Sequence, residues 1–198
     1  MKTVSLSGSK RSNVGSKDAA ALRANGQVPC VIYGGTEQVH FSTDEKNFKN
    51  IIYTPEVCLV EIEVEGKKHI TILQDAQYHR VSDKLIHADF LEVIDGKPIT
   101  MHIPVKLHGQ SEGVKAGGKL ILKTRKLKAR GLANNMPNNI DVQIDNLQIG
   151  GSITVGEVKV EGIELLNAKN VTVVSVQSTR AVAAAEAGKD DKKAPGKK

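Results

Sequence analysis

The amino-acid sequence predicts a mainly β (α+β) protein with two β-rich domains and a disordered C-terminal tail. Three observations support this prediction: apolar and polar residues alternate in many short segments, helical spacing is confined to two short stretches, and the last 20 residues are of low complexity. With 198 residues, the chain is long enough for two small domains that each bury a core.

The first predicted helix lies within residues 15–26. Ser16 is its candidate N-cap, alanines fill its interior and Gly26 stands where a helix would end. The apolar residues 28–33 follow and predict a strand, which two glycines close. This region therefore predicts a helix followed directly by a buried strand.

A second helix is predicted after Thr43, because Ser42 and Glu45 have capping-box spacing and apolar residues recur behind them at helical intervals. Residues 59–64 and 69–73 alternate on either side of a Glu-Gly-Lys-Lys segment, and this pattern predicts a β-hairpin.

Turn-forming residues at 95–98 mark a predicted boundary between a domain of residues 1–94 and a second of residues 95–178. Beyond that boundary the pattern is almost wholly β, with predicted strands at 99–107, 120–129, 140–144 and 171–176 and a segment at 158–165 that contains a Glu-Gly turn. Residues 179–198 form a basic tail of Ala, Lys, Asp and Gly, which is too poor in large apolar side chains to fold alone.

The net charge of +6 is unevenly distributed. Residues 1–94 carry 11 Lys/Arg and 12 Asp/Glu, residues 95–178 carry 11 and 7, and residues 179–198 carry 6 and 3. Two zones are locally basic: residues 1–35, which include Lys10, and the stretch from Lys115 to Arg130, which has seven basic residues and no acid. Such zones indicate contact with a polyanion, although a solvated basic face is the alternative explanation.

Several function classes lack support in the sequence. Residues 113–119 nearly match a phosphate-binding loop, but Leu120 replaces the required hydroxyl and a β pattern follows instead of a helix. The histidines and Cys30 and Cys58 show no metal-ligand spacing, and both cysteines are expected to be reduced core residues. We expect no catalytic residue, metal, cofactor or small-molecule substrate, and no membrane span or secretory signal.

His87 and Asp89 are two residues apart in a predicted strand, so their side chains share one face. A hydrogen-bond donor beside an acceptor suits the reading of base edges or 2′-hydroxyls, and a surface His–Asp pair without a partner is the alternative.

The order and spacing of several motifs resemble the bacterial 5S-rRNA-binding ribosomal protein family, the twenty-fifth of the large-subunit series. Its long two-domain form is called general stress protein CTC. The motifs in the first half are Arg11, Ala21-Leu22-Arg23-Ala24, Pro29-Cys30-Val31-Ile32-Tyr33-Gly34-Gly35, Gln77-Tyr78-His79 and His87-Ala88-Asp89-Phe90. Those in the second half are Ile103-Pro104-Val105, the segment from Ser111 to Gly118, and Gly150-Gly151-Ser152-Ile153.

This resemblance implies an N-terminal β-barrel with short helices that binds the minor-groove face of an irregular 5S rRNA loop. It places RNA contacts at Arg11, Arg23, Tyr33, His87 and Asp89, and Lys10, Gly34 and Gln77 are further candidates. The arginines suit phosphate neutralisation, and the other three suit hydrogen bonds to sugars and base edges. Further candidates for ribosomal RNA contacts are Lys115, Lys119, Lys123, Arg125, Lys126, Lys128 and Arg130.

The segment Asp18-Ala19-Ala20-Ala21 departs from the family, which is usually rich in Lys and Arg at this point. Weaker RNA binding by the first domain is the expected consequence. The resemblance implies a cytoplasmic protein that positions 5S rRNA in the large subunit, beside other ribosomal RNA and proteins. The alternatives are a stress-related RNA-binding protein acting off the ribosome and a nucleotide-hydrolysing enzyme that uses residues 113–119.

Overall fold

A computed structural model describes residues 2–94, 96–160 and 162–179 of the chain. The fold is mainly β, as predicted, with an N-terminal barrel, few short helices and a second β-rich region. The chain divides into two compact units, one of Met1–Met101 with Arg130–Asn138 and one of His102–Ala129 with the residues from Asn139 onward. The predicted division after residue 94 remains a hypothesis, and all but Thr179 of the predicted tail lies outside the described residues.

Six strands and two short helices make up the first unit's barrel. The strands are β1 (Lys2–Lys10), β2 (Gln27–Tyr33), β3 (Val39–Asp44), β4 (Cys58–Val64), β5 (Lys67–Tyr78) and β6 (Leu85–Glu92). The helices are α1 (Ser16–Ala24) and α2 (Lys49–Ile52), and a 3-10 turn at Glu45–Phe48 leads into α2.

The barrel closes in the order β1-β3-β2-β6-β5-β4. Two pairings in this order are parallel, β1 with β4 and β2 with β6, and the remaining neighbours are antiparallel. Alternate residues point inward because side chains alternate across a strand. The core is built around Phe90, whose ring centroid lies 5.9 Å from that of Phe41 and 6.3 Å from that of Phe48.

The strands of the second half are β7 (Ile99–His108), β8 (Lys119–Leu122), β9 (Lys126–Gly131), β10 (Ile140–Gln143), β11 (Ser152–Thr154), β12 (Ile163–Leu165) and β13 (Thr172–Gln177). They form one sheet of order β10-β7-β9-β12 and another of order β11-β13-β8. A four-residue helix, α3 (Glu112–Lys115), begins after Ser111, whose hydroxyl accepts the Val114 N–H. Ile103, Leu127, Ile140 and Val173 are among the fully buried side chains.

Two predicted helix caps differ from the structure. Gly15 rather than Ser16 is the N-cap of α1, so the helix begins without a side-chain capping hydrogen bond. Ser42 does not form a capping box with Glu45, because strand β3 continues through it and its side chain is buried against β1. Pairing between strands has therefore overridden a local capping signal.

One strand prediction in the second half also needs correction. The predicted strand 120–129 is two strands, β8 and β9, which belong to different sheets. The chain changes sheet at Lys123 and Thr124, whose N–H groups both donate to the Val173 carbonyl. In the β-patterned segment 158–165, the described residues are in a strand only at Ile163–Leu165, which follows the predicted Glu-Gly turn.

Candidate nucleic-acid interface

Four of the predicted contact residues lie on one outer face of the barrel, which we call the polar face. Tyr33 lies on β2, Gln77 on β5, and His87 and Asp89 on β6. Gln77 is directly opposite His87 in the β5–β6 pairing, and Asp89 is opposite Val31 on β2. Three of their neighbours in sequence, Ile32, Ala88 and Phe90, are completely buried, so the barrel core fixes the direction in which the polar side chains of β2 and β6 point.

His87 and Asp89 form a close pair at the centre of the polar face. The distance from His87 Nδ1 to Asp89 Oδ1 is 2.6 Å, and each side chain is 29% exposed. Nevertheless, Asp89 Oδ1 is shielded from solvent and receives no hydrogen bond of acceptable geometry. A buried carboxylate oxygen without a donor is costly, and the exposed part of the Asp89 side chain is where a ligand that supplies a donor can approach.

Tyr33 is a hydrogen-bond donor on the same face. Partial burial raises the pKa of its hydroxyl, and the negative charges of Asp89 and Asp75 raise it further. The hydroxyl therefore stays protonated at neutral pH and remains able to donate. Asp75 was not predicted as a site residue, although the register of β5 on β6 places it opposite Asp89.

Arg11 is held within the protein rather than extended into solvent. Its side chain is 9% exposed, and Nη2 donates to Asp18 Oδ2 at 2.8 Å and to the Asn13 carbonyl at 3.2 Å. The buried Nε has no hydrogen-bond acceptor. The carboxylate of Asp18 thus neutralises the positive charge of Arg11 in the free protein.

The backbone places Arg11 level with Asp89 on the barrel. Its N–H donates to the carbonyl of His40, His40 is paired with Val31, and Val31 is paired with Asp89. His40 is partly exposed beside these paired residues, and it was also not predicted as a site residue. Asp75 and His40 lie close to the predicted site residues because of strand register. Register between distant segments leaves no local signal in the sequence.

Arg23 connects helix α1 to strand β6. Its Nε donates to the Ile86 carbonyl at 3.0 Å, next to His87, and the side chain remains exposed. Arg23 also lines an open cleft together with Glu45, His79 and Lys84. The guanidinium therefore keeps donors free for a phosphate beside the polar face.

The two other candidates of the first unit have different surroundings. Lys10 is exposed and forms an ion pair with Glu65 at 3.2 Å, so part of its charge is neutralised away from the polar face. Gly34 follows Tyr33 with φ +96°, and a Cβ there would lie 2.6 Å from Leu91 Cδ1. A glycine is thus required by both the backbone conformation and the close approach of β6.

The seven basic residues from Lys115 to Arg130 do not form a single surface. Lys115 is the last residue of α3 and Lys119 the first of β8, whereas Lys123 and Arg125 lie in the segment that connects β8 to β9. Lys126, Lys128 and Arg130 alternate along β9 with the buried Leu127 and Ala129, so these three share one exposed face. None of the seven has an ion-pair partner within the described ranges 2–94, 96–160 and 162–179.

The glycines of residues 113–118 serve packing. A Cβ on Gly113 would lie 2.7 Å from backbone atoms of Gln148 and Ile149, and one on Gly118 would lie 2.7 Å from the Gly113 carbonyl oxygen. The segment forms the one-turn helix α3 and a turn into β8, without the long helix that a phosphate-binding loop requires.

The cysteines are both free thiols. Cys30 is buried, and burial strongly raises its pKa above the ordinary thiol value. Cys58 is half-buried, and burial raises its pKa as well. Both thiols are therefore protonated and weakly nucleophilic. In the part of the chain that the structure describes, no cluster of three His, Cys, Asp or Glu side chains is suited to a metal ion, and no helix is long and apolar enough to span a membrane.

Comparison with known proteins covers nearly the whole chain. The family model described as "Ribosomal L25p family" matches residues 6–90, and that described as "Ribosomal protein TL5, C-terminal domain" matches residues 98–180. The chain is 48% identical over 183 residues to a protein of Porphyromonas gingivalis, covering 91% of this chain and 95% of the relative. It is 46% identical over 182 residues to a protein of Bacteroides fragilis, with 91% and 93% covered, and 44% identical over 196 residues to one of Bacteroides thetaiotaomicron, with 96% and 100% covered.

All three relatives are named large ribosomal subunit protein bL25. Identity at this level over almost the full length of both chains confirms the predicted family and the prediction of a structural rather than an enzymatic protein. The chain belongs to the ribosomal L25p family.

Proposed function

We propose that this protein is a component of the large ribosomal subunit and that its barrel binds 5S rRNA through the polar face. Tyr33, Gln77, His87 and Asp89 would contact the RNA, with Arg11 and Arg23 at the margins of the face. The protein contributes binding and orientation, and no chemical step is involved.

The observation that carries this proposal is the unsatisfied oxygen of Asp89. An ionised carboxylate only accepts hydrogen bonds, so its partner must be a donor. In RNA the available donors are the 2′-hydroxyl and the base amino groups. The Asp89 side chain is 29% exposed, so an RNA donor can approach its carboxylate from the polar face, and pairing there offsets the cost of a buried oxygen that has no donor.

The shape of the surface suits the minor groove of an A-form helix. That groove is wide and shallow and displays 2′-hydroxyls and base edges, whereas the major groove is too narrow for side chains. The polar face lies on the outside of three neighbouring strands, β2, β6 and β5, and therefore presents a broad surface. Tyr33 can donate from one side, and His87 can donate or accept according to its tautomer.

The arginines have different roles in this proposal. Arg23 is anchored to β6 through Nε alone, so its terminal nitrogens can bind a phosphate. The positive charge of Arg11 is neutralised by Asp18, and the Nε of Arg11 has no hydrogen-bond acceptor. Arg11 thus contributes a directed hydrogen bond more than net positive charge.

The test is the affinity of the untagged full-length protein for a 5S rRNA transcript, with the DNA of the same sequence as the comparison. We expect the RNA to bind at least tenfold more tightly, because DNA lacks the 2′-hydroxyl donors. Equal affinity for the two would contradict the proposed contacts, and failure to retain 5S rRNA in preference to other RNA would refute the function.

Location on the ribosome is tested separately by sedimentation of a cell extract. Stoichiometric presence in large subunits is the expected result. A protein found mainly in the unsedimented fraction would instead support a stress-related RNA-binding role off the ribosome.

A further inference from the structure

The second unit carries a basic surface that the polar face of the barrel does not explain. Within this unit, the exposed residues of strands β7 and β9 are His102, Lys106, His108, Lys126 and Lys128, so every one of them is histidine or lysine. β7 and β9 are neighbours in the four-stranded sheet. Sheet pairing therefore concentrates basic side chains that lie 18 or more residues apart in sequence.

Three of these side chains are close together. His102 lies on β7, next to the strand that carries Lys126 and Lys128, and partial desolvation together with the positive charges of Lys128 and Lys126 lowers its pKa. Lys126 and Lys128 are two residues apart on one strand face, about 6.8 Å along the strand. Neither lysine has an ion-pair partner within the described parts of the chain.

Carboxylates near this surface are few. On one side, β10 contributes Asp141, which is paired with His108 at 3.0 Å. The register places Asp141 opposite Lys106, and β10 begins opposite Val105, so it does not flank His102. On the other side, β12 contributes Glu164, which is exposed. Glu164 forms no ion pair with Lys126 or Lys128, so in the described parts of the chain no carboxylate is paired with the lysines near His102.

We propose that the exposed face of β7 and β9 around His102, Lys126 and Lys128 binds the phosphate backbone of a ribosomal RNA segment other than the one bound by the barrel. Each cation placed on a phosphate releases a counterion, and two unpaired lysines on a rigid sheet provide two such contacts. An acidic protein is a less suitable partner, because protein interfaces depend on buried aromatic or apolar anchors and the exposed side chains of these strands provide none.

The test compares two double variants of the full chain, Lys126→Ala/Lys128→Ala and the control Lys159→Ala/Lys169→Ala. The control removes the same charge from exposed positions of the second unit outside β7 and β9. The probe is an RNA duplex of arbitrary sequence about 16 base pairs long, which spans two minor grooves. We expect the first variant to reduce the slope of log K against log salt by about 1.5 to 2, and the control by less than about 0.5.

A second measurement reports on His102 directly. Phosphates bound over the face offset the lysine charges that disfavour the imidazolium, so saturating RNA should raise the pKa of His102, as followed by NMR of its ring protons. The barrel site is monitored by 5S rRNA affinity, which should change by less than about threefold in both variants. A larger loss of 5S rRNA affinity in the Lys126/Lys128 variant alone would place 5S rRNA on this face and overturn this inference, whereas absence of 5S rRNA binding by the unaltered protein would be a failure of the barrel proposal alone.

Equal salt slopes in the two double variants, or an unchanged His102 pKa with RNA, would overturn the inference. So would a variant that is depleted from large subunits while its RNA affinity is unchanged, because that result would assign the face to a ribosomal protein.

Discussion

The polar face of the barrel and the basic face of the second unit differ in how their charges are arranged. On the barrel, Arg11 is neutralised by Asp18, Lys10 pairs with Glu65, and the central groups are a histidine and a carboxylate. On β9, Lys126 and Lys128 have no such partners. One surface therefore provides directed hydrogen bonds and the other provides net charge.

This difference has a consequence for RNA recognition. Hydrogen bonds to base edges and sugars distinguish one RNA site from another, whereas phosphate contacts add affinity at any sequence. A protein that separates the two can have a specific site with little dependence on salt and a second contact that weakens strongly as salt rises. Each prediction below tests one part of this separation.

The largest effect is expected from separating the two halves of the chain. A fragment of residues 1–94 contains all six barrel strands and the whole apolar cluster of the barrel, so we expect it to fold and to retain specific 5S rRNA binding. A fragment of residues 95–178 should bind 5S rRNA at least about 100-fold more weakly, a difference of about 2.7 kcal/mol. Circular dichroism establishes that each fragment is folded. A folded 1–94 fragment that does not bind 5S rRNA would show that the domain division is wrong.

Asp89→Ala should produce the next largest effect. Removing the central acceptor leaves an RNA donor unpaired, at a cost of about 1–3 kcal/mol or about 5- to 140-fold in affinity. The salt slope should remain nearly unchanged or become somewhat steeper, because a negative charge has been lost. Asp75→Ala is the matched control, since it removes a carboxylate from the paired position on β5. An equal loss in the control would mean that Asp89 acts through general charge alone.

Arg23→Ala tests the phosphate contact beside the polar face. We expect affinity to fall for RNA of any sequence and the salt slope to become shallower by about one. Lys2→Ala is the control, because Lys2 is an exposed cation at the opposite end of β1 from Arg11. If the Arg23 and Asp89 variants gave identical salt titrations, the assignment of different roles to the two residues would fail.

Asp18→Ala should change affinity in the opposite direction. Loss of the carboxylate releases the charge of Arg11, so binding should tighten by about two- to fivefold, the size of a partly exposed charge interaction. The salt slope should steepen by about one. Asp18→Asn keeps a hydrogen-bond acceptor without the charge and should give the same change in slope. Weaker binding with an unchanged slope would show that Asp18 positions Arg11 instead of masking it.

The smallest effect is expected from deletion of residues 180–198. This segment has Val182 as its only large apolar side chain, so ordering it would cost about 1–2 kcal/mol per residue with almost no apolar burial. Thr179 is retained because its hydroxyl donates to the Gly117 carbonyl. Affinity for 5S rRNA at about 0.15 M salt should change by less than tenfold. A greater loss of affinity would show that the tail is part of the 5S rRNA binding site.

Local sequence patterns predicted the secondary structure best where the signal and the contact are close together. The hairpin of β4 and β5 is an example, because Glu65 and Gly66 form a tight turn in which both residues have positive φ. The cap at Ser42 failed for the opposite reason. Ser42 pairs with Ser9 of β1, more than 30 residues away in sequence, and this strand pairing prevents Ser42 from capping the following helix.

The site shows the same limit. The strand alternation of His87 and Asp89 was visible in the sequence, and the family resemblance supplied the arginines and Tyr33. The proximity of Asp75 to Tyr33 and the ion pair of Arg11 with Asp18 depend on tertiary packing, which no single segment encodes. Residue types were therefore easier to predict than the charge state of the surface they form.

The closed barrel has a consequence for how the protein is made. Its first strand, β1, completes the ring by pairing with β4, where Lys2 lies opposite Cys58, and β2 pairs with β6, where Cys30 lies opposite Ala88. During synthesis β1 can pair with β4 only after residue 64 has been made, and β2 can pair with β6 only after residue 92, so the ring stays open until β6 has emerged. Such non-local pairing slows folding. The polar face, which needs β2, β5 and β6 together, is therefore assembled only when the last barrel strand is in place, and an incomplete nascent chain cannot compete for RNA.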